Sequence, residues 1–199
     1  MNNSPESDSG SCFKAARAAA GHERKEKDMK SFLELAEERY SCKKFSDRAI
    51  SDEDLNYVLE AGRLAPTAKN LQPQHIYVMR SAEALEQIDK LTPCRYGAPV
   101  VAVIAYDRDN VFTFPGGRAT SGAEDVSIVA THMMLAAADR GLNSCWLNFF
   151  DPDKAAAELD LPDNETVVLL LDLGYAAEGA APLANHTNRK ALSETVTWR

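Results

Sequence analysis

Two periods organise the apolar positions of this chain. In "DEDLNYVLEAGRLA", Leu55, Val58, Leu59 and Gly62 fall on one helical face, and Ser51 with Asp54 can cap its start. Ser31 with Glu34 offers a similar start to "FLELAEER". The longest helical pattern is "AEDVSIVATHMMLAAADRG" (123–141), where Val126, Val129, Met133, Ala136 and Ala137 make a core stripe and Gly141 supplies the C-terminal cap. Met133, Met134 and His132 in that helix read as packing residues. Strand-length apolar runs appear at "QHIYVM" (74–79), "VVAVIAY" (100–106), "SCWLNFF" (144–150) and "TVVLLLDLG" (166–174). Asp151-Pro152 reads as the N-cap and first residue of a short helix. Helices and strands alternate irregularly without an internal repeat, which predicts an α+β fold with a mixed, mainly antiparallel sheet flanked by helices.

Length and charge narrow the picture. A chain of 199 residues with 45% apolar content supports one sizeable core, so a single domain is expected. Residues 1–28 contain one aromatic side chain, no aliphatic larger than alanine, and five acids against five bases. They have the character of a flexible N-terminal arm, of neither a secretory signal nor a transit peptide, with the independent domain running over 29–199. The net charge of −8 argues against a nucleic-acid partner. The longest apolar stretches are about half of a membrane-spanning helix, so no membrane is expected. Four cysteines and four histidines are scattered without metal-ligand spacing, and a reduced, cytoplasmic protein with no metal is the expectation.

Against that acidic background "RYSCKKF" (39–45) gathers three cations and no carboxylate. An extended segment would point Arg39, Ser41 and Lys43 to one side, whereas a helical one would still align Arg39 with Lys43. Like charges so placed repel unless an anion lies between them, although a solvated basic turn closing a helix accounts for the same residues. Phosphate loops, dinucleotide fingerprints and nucleophile elbows are absent, and "PGGRATSG" (115–122) reads as a mobile loop. No Ser, His and acid form an obvious triad. An anion site without an acid/base set is what a phosphorylated cofactor requires, because the cofactor carries the reaction.

Six segments taken in order extend this reading: R-x-S-x-K at 39–43, A-P-T-x-x-N-x-Q-P at 65–73, D-x-x-I-x-x-x-H-M-M-L at 125–135, G-L-x-S-C-W at 141–146, L-G-Y at 173–175, and R-K at 189–190. Together they resemble the nitroreductase family of FMN-dependent oxidoreductases. The resemblance implies an intertwined homodimer with FMN at the interface. It implies that Arg39, Ser41 and Lys43, with Tyr40 through its backbone, hold the phosphate, ribityl chain and N1/O2 edge. Pro66, Thr67, Ala68 and Asn70 would come from the other subunit, and Glu124 and Asp125 would lie where a backbone N–H meets the flavin N5. Arg189, helped by Lys190, would close on the phosphate, while Asn148 stands where relatives often have a glycine near the ring. Thr187 departs from the basic residue that many relatives carry two positions before the arginine. The implied reaction is ping-pong: NADH or NADPH gives hydride to FMN, which then reduces a small acceptor such as a nitroaromatic or quinone, without a catalytic side chain. The same resemblance leaves open a flavin-dependent dehalogenase, a flavin-cleaving enzyme, or a non-catalytic FMN carrier or sensor.

Overall fold

A computed structural model describes residues 30–199, and the expected arm over 1–28 lies outside the described residues. Leu33–Arg199 make up one compact unit. Its elements are α1 (Phe32–Glu38), α2 (Asp52–Arg63), a 3-10 turn (Ala68–Asn70), β1 (Gln74–Met79), α3 (Ala82–Leu91), β2 (Val100–Asp107), α4 (Gly122–Asp139), β3 (Asn143–Leu147), α5 (Pro152–Glu158), β4 (Glu165–Gly174) and α6 (Leu192–Thr195).

The strands form one sheet in the order β1-β2-β4-β3, with every neighbouring pair antiparallel. A parallel bridge between Ser41 and Ser144 adds the mixed element. The central strands β2 and β4 are buried on both faces, as their continuous apolar runs predict. One core lies between the sheet and α2/α4, with Val58, Val126, Val129, Met133, Leu169 and Leu171 at its centre. A second core on the opposite face gathers Cys42, Phe45, Ile88, Val101, Val103 and Leu170.

Close approach of α2 to α4 depends on Gly62, where an added Cβ would sit 2.8 Å from Met133 Cγ. The end of α4 follows the expected cap. Leu142 N–H donates to Ala137 O at 2.8 Å and Gly141 N–H to Ala138 O at 3.0 Å, with Gly141 at φ +72°. Gly141→Ala keeps every contact but forces a side chain into the left-handed region, so urea unfolding should report a loss of about 1–2 kcal/mol.

Two expectations need correction. Strand β3 stops at Leu147 instead of reaching Phe150, because Asn148 turns its own amide onto Val168 O at 2.9 Å and Phe149 faces solvent. His132 is exposed on the outer face of α4, its Nδ1 2.9 Å from Ile128 O, and packs no core. The glycine-rich segment is a loop, as expected, closed at its base by a Thr113–Thr120 bridge, with Phe114 N–H donating to Ala119 O at 3.0 Å.

Candidate functional site

The basic segment combines both alternatives: Arg39 closes α1, its N–H donating to Leu35 O at 3.1 Å, and the chain is extended from Ser41 onward. Cys42 N–H donates to Ser144 O at 2.9 Å, and a bridge joins Phe45 to Ala176, so residues 41–45 are stitched between β3 and the strand following Gly174. Cys42 and Phe45 turn inward to the second core while Ser41 and Lys43 remain exposed. Lys43 Nζ lies 5.8 Å from the Tyr96 ring centroid, and Lys44 Nζ donates to Glu178 O at 2.9 Å. Sheet pairing thereby presents Ser41 and Lys43 to solvent without any helix.

Arg39, Tyr40 and Ser41 meet Leu183, Asn185, His186 and Arg189 around a cleft of about 210 Å³. A neighbouring cleft of about 250 Å³ is lined by Glu37, His186, Thr187 and Arg189. Arg189 Nη1 donates to the carbonyls of His186 and Asn188, which orients the guanidinium without neutralising it. Among the described residues no carboxylate lies within ion-pair distance of Arg39 or Arg189. The lining residues of the first cleft therefore bring two guanidinium groups, two hydroxyls, an amide and an imidazole, with no carboxylate. Such a donor set suits an anion with several oxygens.

A second group forms elsewhere on the chain. Residues 66–73 make a turn in which Lys69, Asn70 and Gln72 all hold positive φ, +52°, +55° and +52°. Non-glycine residues enter that region at a cost, and here the turn is pinned from outside and within. Asp125 Oδ1 accepts from Ala68 N–H at 2.8 Å, and Thr67 Oγ1 accepts from Gln72 N–H at 3.0 Å. The other Asp125 oxygen accepts from Ser121 Oγ at 2.7 Å, which in turn accepts from Phe112 N–H at 3.1 Å. Buried Asp125 thus ties Pro66, Thr67, Ala68 and Asn70 to the start of α4. Its own N–H is committed to Ser121 O at 2.8 Å, whereas Glu124 N–H belongs to the first helical turn, whose donors have no acceptor within the helix.

The remaining expected residues stand apart from the cleft lining. Lys190 is exposed beside Arg189. Asn148 accepts from Trp146 Nε1–H and donates to Val168 O, so both ends of its side chain are occupied. Sequence reasoning missed His186 and Asn185, although both lie in the quoted "NHTNRK" run; only the fold shows that they face Arg39. It also missed a group at the sheet edge in which buried Glu165 accepts from half-buried Tyr77 Oη at 2.6 Å and bonds the exposed His75 at Nδ1.

Nucleophilic chemistry finds little support. Burial first, and the nearby Asp172 second, push the Cys145 thiol up to about 12. Tyr40 is raised by burial and by its hydrogen bond and proximity to Cys42. Among the described residues, no group of His, Cys, Asp or Glu is placed to hold a metal ion.

Known proteins carry the same architecture. The solved structure of a nitroreductase family protein from Clostridium difficile 630 superposes with a TM-score of 0.80 at 37% identity, covering 85% of this chain and 98% of that one. An FMN-dependent nitroreductase from Clostridium difficile R20291 superposes with a TM-score of 0.61 at 25% identity, over 79% of this chain and 98% of its own. A relative from Archaeoglobus fulgidus, provisionally named an NADH dehydrogenase/NAD(P)H nitroreductase, is 31% identical over 153 residues, 74% of this chain and 86% of its own length. The sequence model described as the nitroreductase family matches residues 36–95 and 93–175. With most of the described fold accounted for by that match, the chain belongs to the nitroreductase family.

Proposed function

We propose that this chain is an FMN-dependent NAD(P)H oxidoreductase that reduces nitroaromatic, quinone or related acceptors in a ping-pong cycle. The observation that carries the reading is the cleft between residues 39–41 and 183–189, which has two guanidinium groups and no acidic side chain in a protein of net charge −8. A phosphate monoester satisfies those donors and is dianionic near neutrality. FMN, when bound, supplies the two-electron chemistry that connects a nicotinamide to an acceptor.

The protein's part is grip and orientation. Arg39 and Arg189 hold the phosphate, with Ser41 donating a hydroxyl, Tyr40 backing the segment and Lys190 adding charge at the rim. Lys43 would bring an ammonium to the N1/O2 edge of the ring, where a cation favours negative charge. Pro66, Thr67, Ala68 and Asn70, braced by Asp125, would complete the site of a second copy of the chain, and Glu124 N–H would serve N5. Asn148 would border the ring. On this reading residues 29–199 are an FMN-binding domain of an intertwined homodimer.

No side chain is assigned as an acid or base, since hydride transfer depends on distance and stacking. The small-molecule acceptor takes the place vacated by NADH or NADPH. Among the described residues no helix is long and apolar enough to cross a membrane, and the three described cysteines are free thiols, which supports a cytoplasmic setting.

Anaerobic mixing with NADH or NADPH, followed at the flavin absorbance band, tests the reading. The band should bleach with at least one nicotinamide and return on adding a nitroaromatic or quinone. A bound flavin left oxidised by both would make the protein a carrier or sensor instead.

A further inference from the structure

We infer that His186 is a third cationic ligand of the phosphate, and that FMN binding draws a proton onto its ring; this rests on the reading of the cleft given above. His186 lines both clefts together with Arg189. Its Nε2 lies 3.0 Å from Glu37 O, an acceptor, so Nε2 carries the hydrogen and Nδ1 is the nitrogen that keeps its lone pair. The Tyr40 ring stands edge-on at 6.3 Å and limits rotation. The His186 carbonyl accepts from Arg189 Nη1, which fixes imidazole and guanidinium to one short loop.

That tautomer presents a lone pair to any anion that reaches Nδ1. A phosphate oxygen beside it meets repulsion until Nδ1 is protonated, whereupon the ring becomes a donor at both nitrogens. The charged and titratable groups around the ring are Glu37 and Tyr40 from α1 and the segment after it, Arg39 between them, and Arg189 from its own loop. A phosphate dianion brought among them adds negative charge facing Nδ1, and histidine is the side chain that can answer with a proton near neutral pH.

The test is titration of the flavin-free full-length protein with FMN, read by quenching of flavin fluorescence from about pH 5.5 to about pH 8, the range in which imidazoles change charge. The ratio of variant to wild-type Kd values removes the part of the phosphate's ionisation that the proteins share, and leaves the coupled titration of ring and phosphate. For His186→Asn, binding should be weaker than wild type by about tenfold at the acid end, as expected for one charge-assisted hydrogen bond, with the ratio falling towards unity at the alkaline end. His186→Lys should keep the acid-end affinity throughout. Riboflavin, which lacks the phosphate, should give a pH-independent ratio. A His186→Asn ratio that stays constant with FMN, or one that varies equally with riboflavin, overturns the inference while leaving the cleft as the phosphate site. Folded wild-type protein that binds FMN at no pH overturns both.

Discussion

Arg39→Ala should purify as a folded protein that has lost its flavin, with the Kd for FMN raised by at least about tenfold, since a charge-assisted hydrogen bond contributes about 1.5–3 kcal/mol. The side chain of Arg39 forms no ion pair among the described residues, so its removal takes little from the apo fold. What disappears is one of two guanidinium groups lining the cleft. Arg39→Lys should recover part of the affinity, because an ammonium keeps the charge but loses the planar fork that grips two oxygens at once. Flavin content from the absorbance spectrum and unfolding temperature of the flavin-free protein separate binding from stability. Full flavin occupancy in Arg39→Ala would remove the segment from the proposed site.

A different pH profile is expected from Asp172→Asn. Asp172 lies on β4 opposite Val101 of β2 and Cys145 of β3. It is fully buried, and neither carboxylate oxygen has a hydrogen-bond partner among the described residues. Burial pushes its pKa up to about 8, against a smaller opposing pull from Arg95. That arginine is otherwise engaged, with Nε and Nη2 both 2.6 Å from Asp89 oxygens and Nη1 donating to Ala98 O at 2.9 Å.

The native state consequently binds a proton that the unfolded chain releases near about pH 4. The contribution of this group to stability is fully present below that point and falls as pH rises towards about 8, by up to about 1.4 kcal/mol per pH unit, then levels off. An asparagine resembles the neutral carboxyl and has no proton to lose. Urea unfolding of wild type and Asp172→Asn should therefore diverge between about pH 4 and about pH 8, with the variant the more stable by a few kcal/mol at the alkaline end. Parallel profiles would mean that a partner reaches the carboxylate.

How far the sequence reveals the molecule depends on the range of the interaction concerned. Strands β2 and β4 declare themselves because burial on both faces demands unbroken apolar runs, and α4 ends where Gly141 permits it. Local capping is equally legible: Ser51 accepts from Asp54 N–H, and Asp151 from Asp153 and Lys154 N–H. Helix α3 escapes notice although Ser81 caps it, because Ile88 is its only fully buried side chain and the apolar stripe is short.

At the candidate site, Arg39, Ser41 and Arg189 are visible as motif residues, but the choice between strand and helix for Ser41 rests on pairing with Ser144, remote in sequence. His186 becomes a cleft residue only through the return of the tail past α1. The bracing of Ala68 by Asp125 is similarly tertiary, and no spacing rule connects them.

Stitching residues 41–45 on both sides has a thermodynamic meaning for any guest. A dangling basic tail would have to surrender its conformational freedom on each encounter and repay that loss from attraction alone. Here the floor of the cleft has already given up that freedom during folding, so an arriving ligand keeps more of the attraction as affinity.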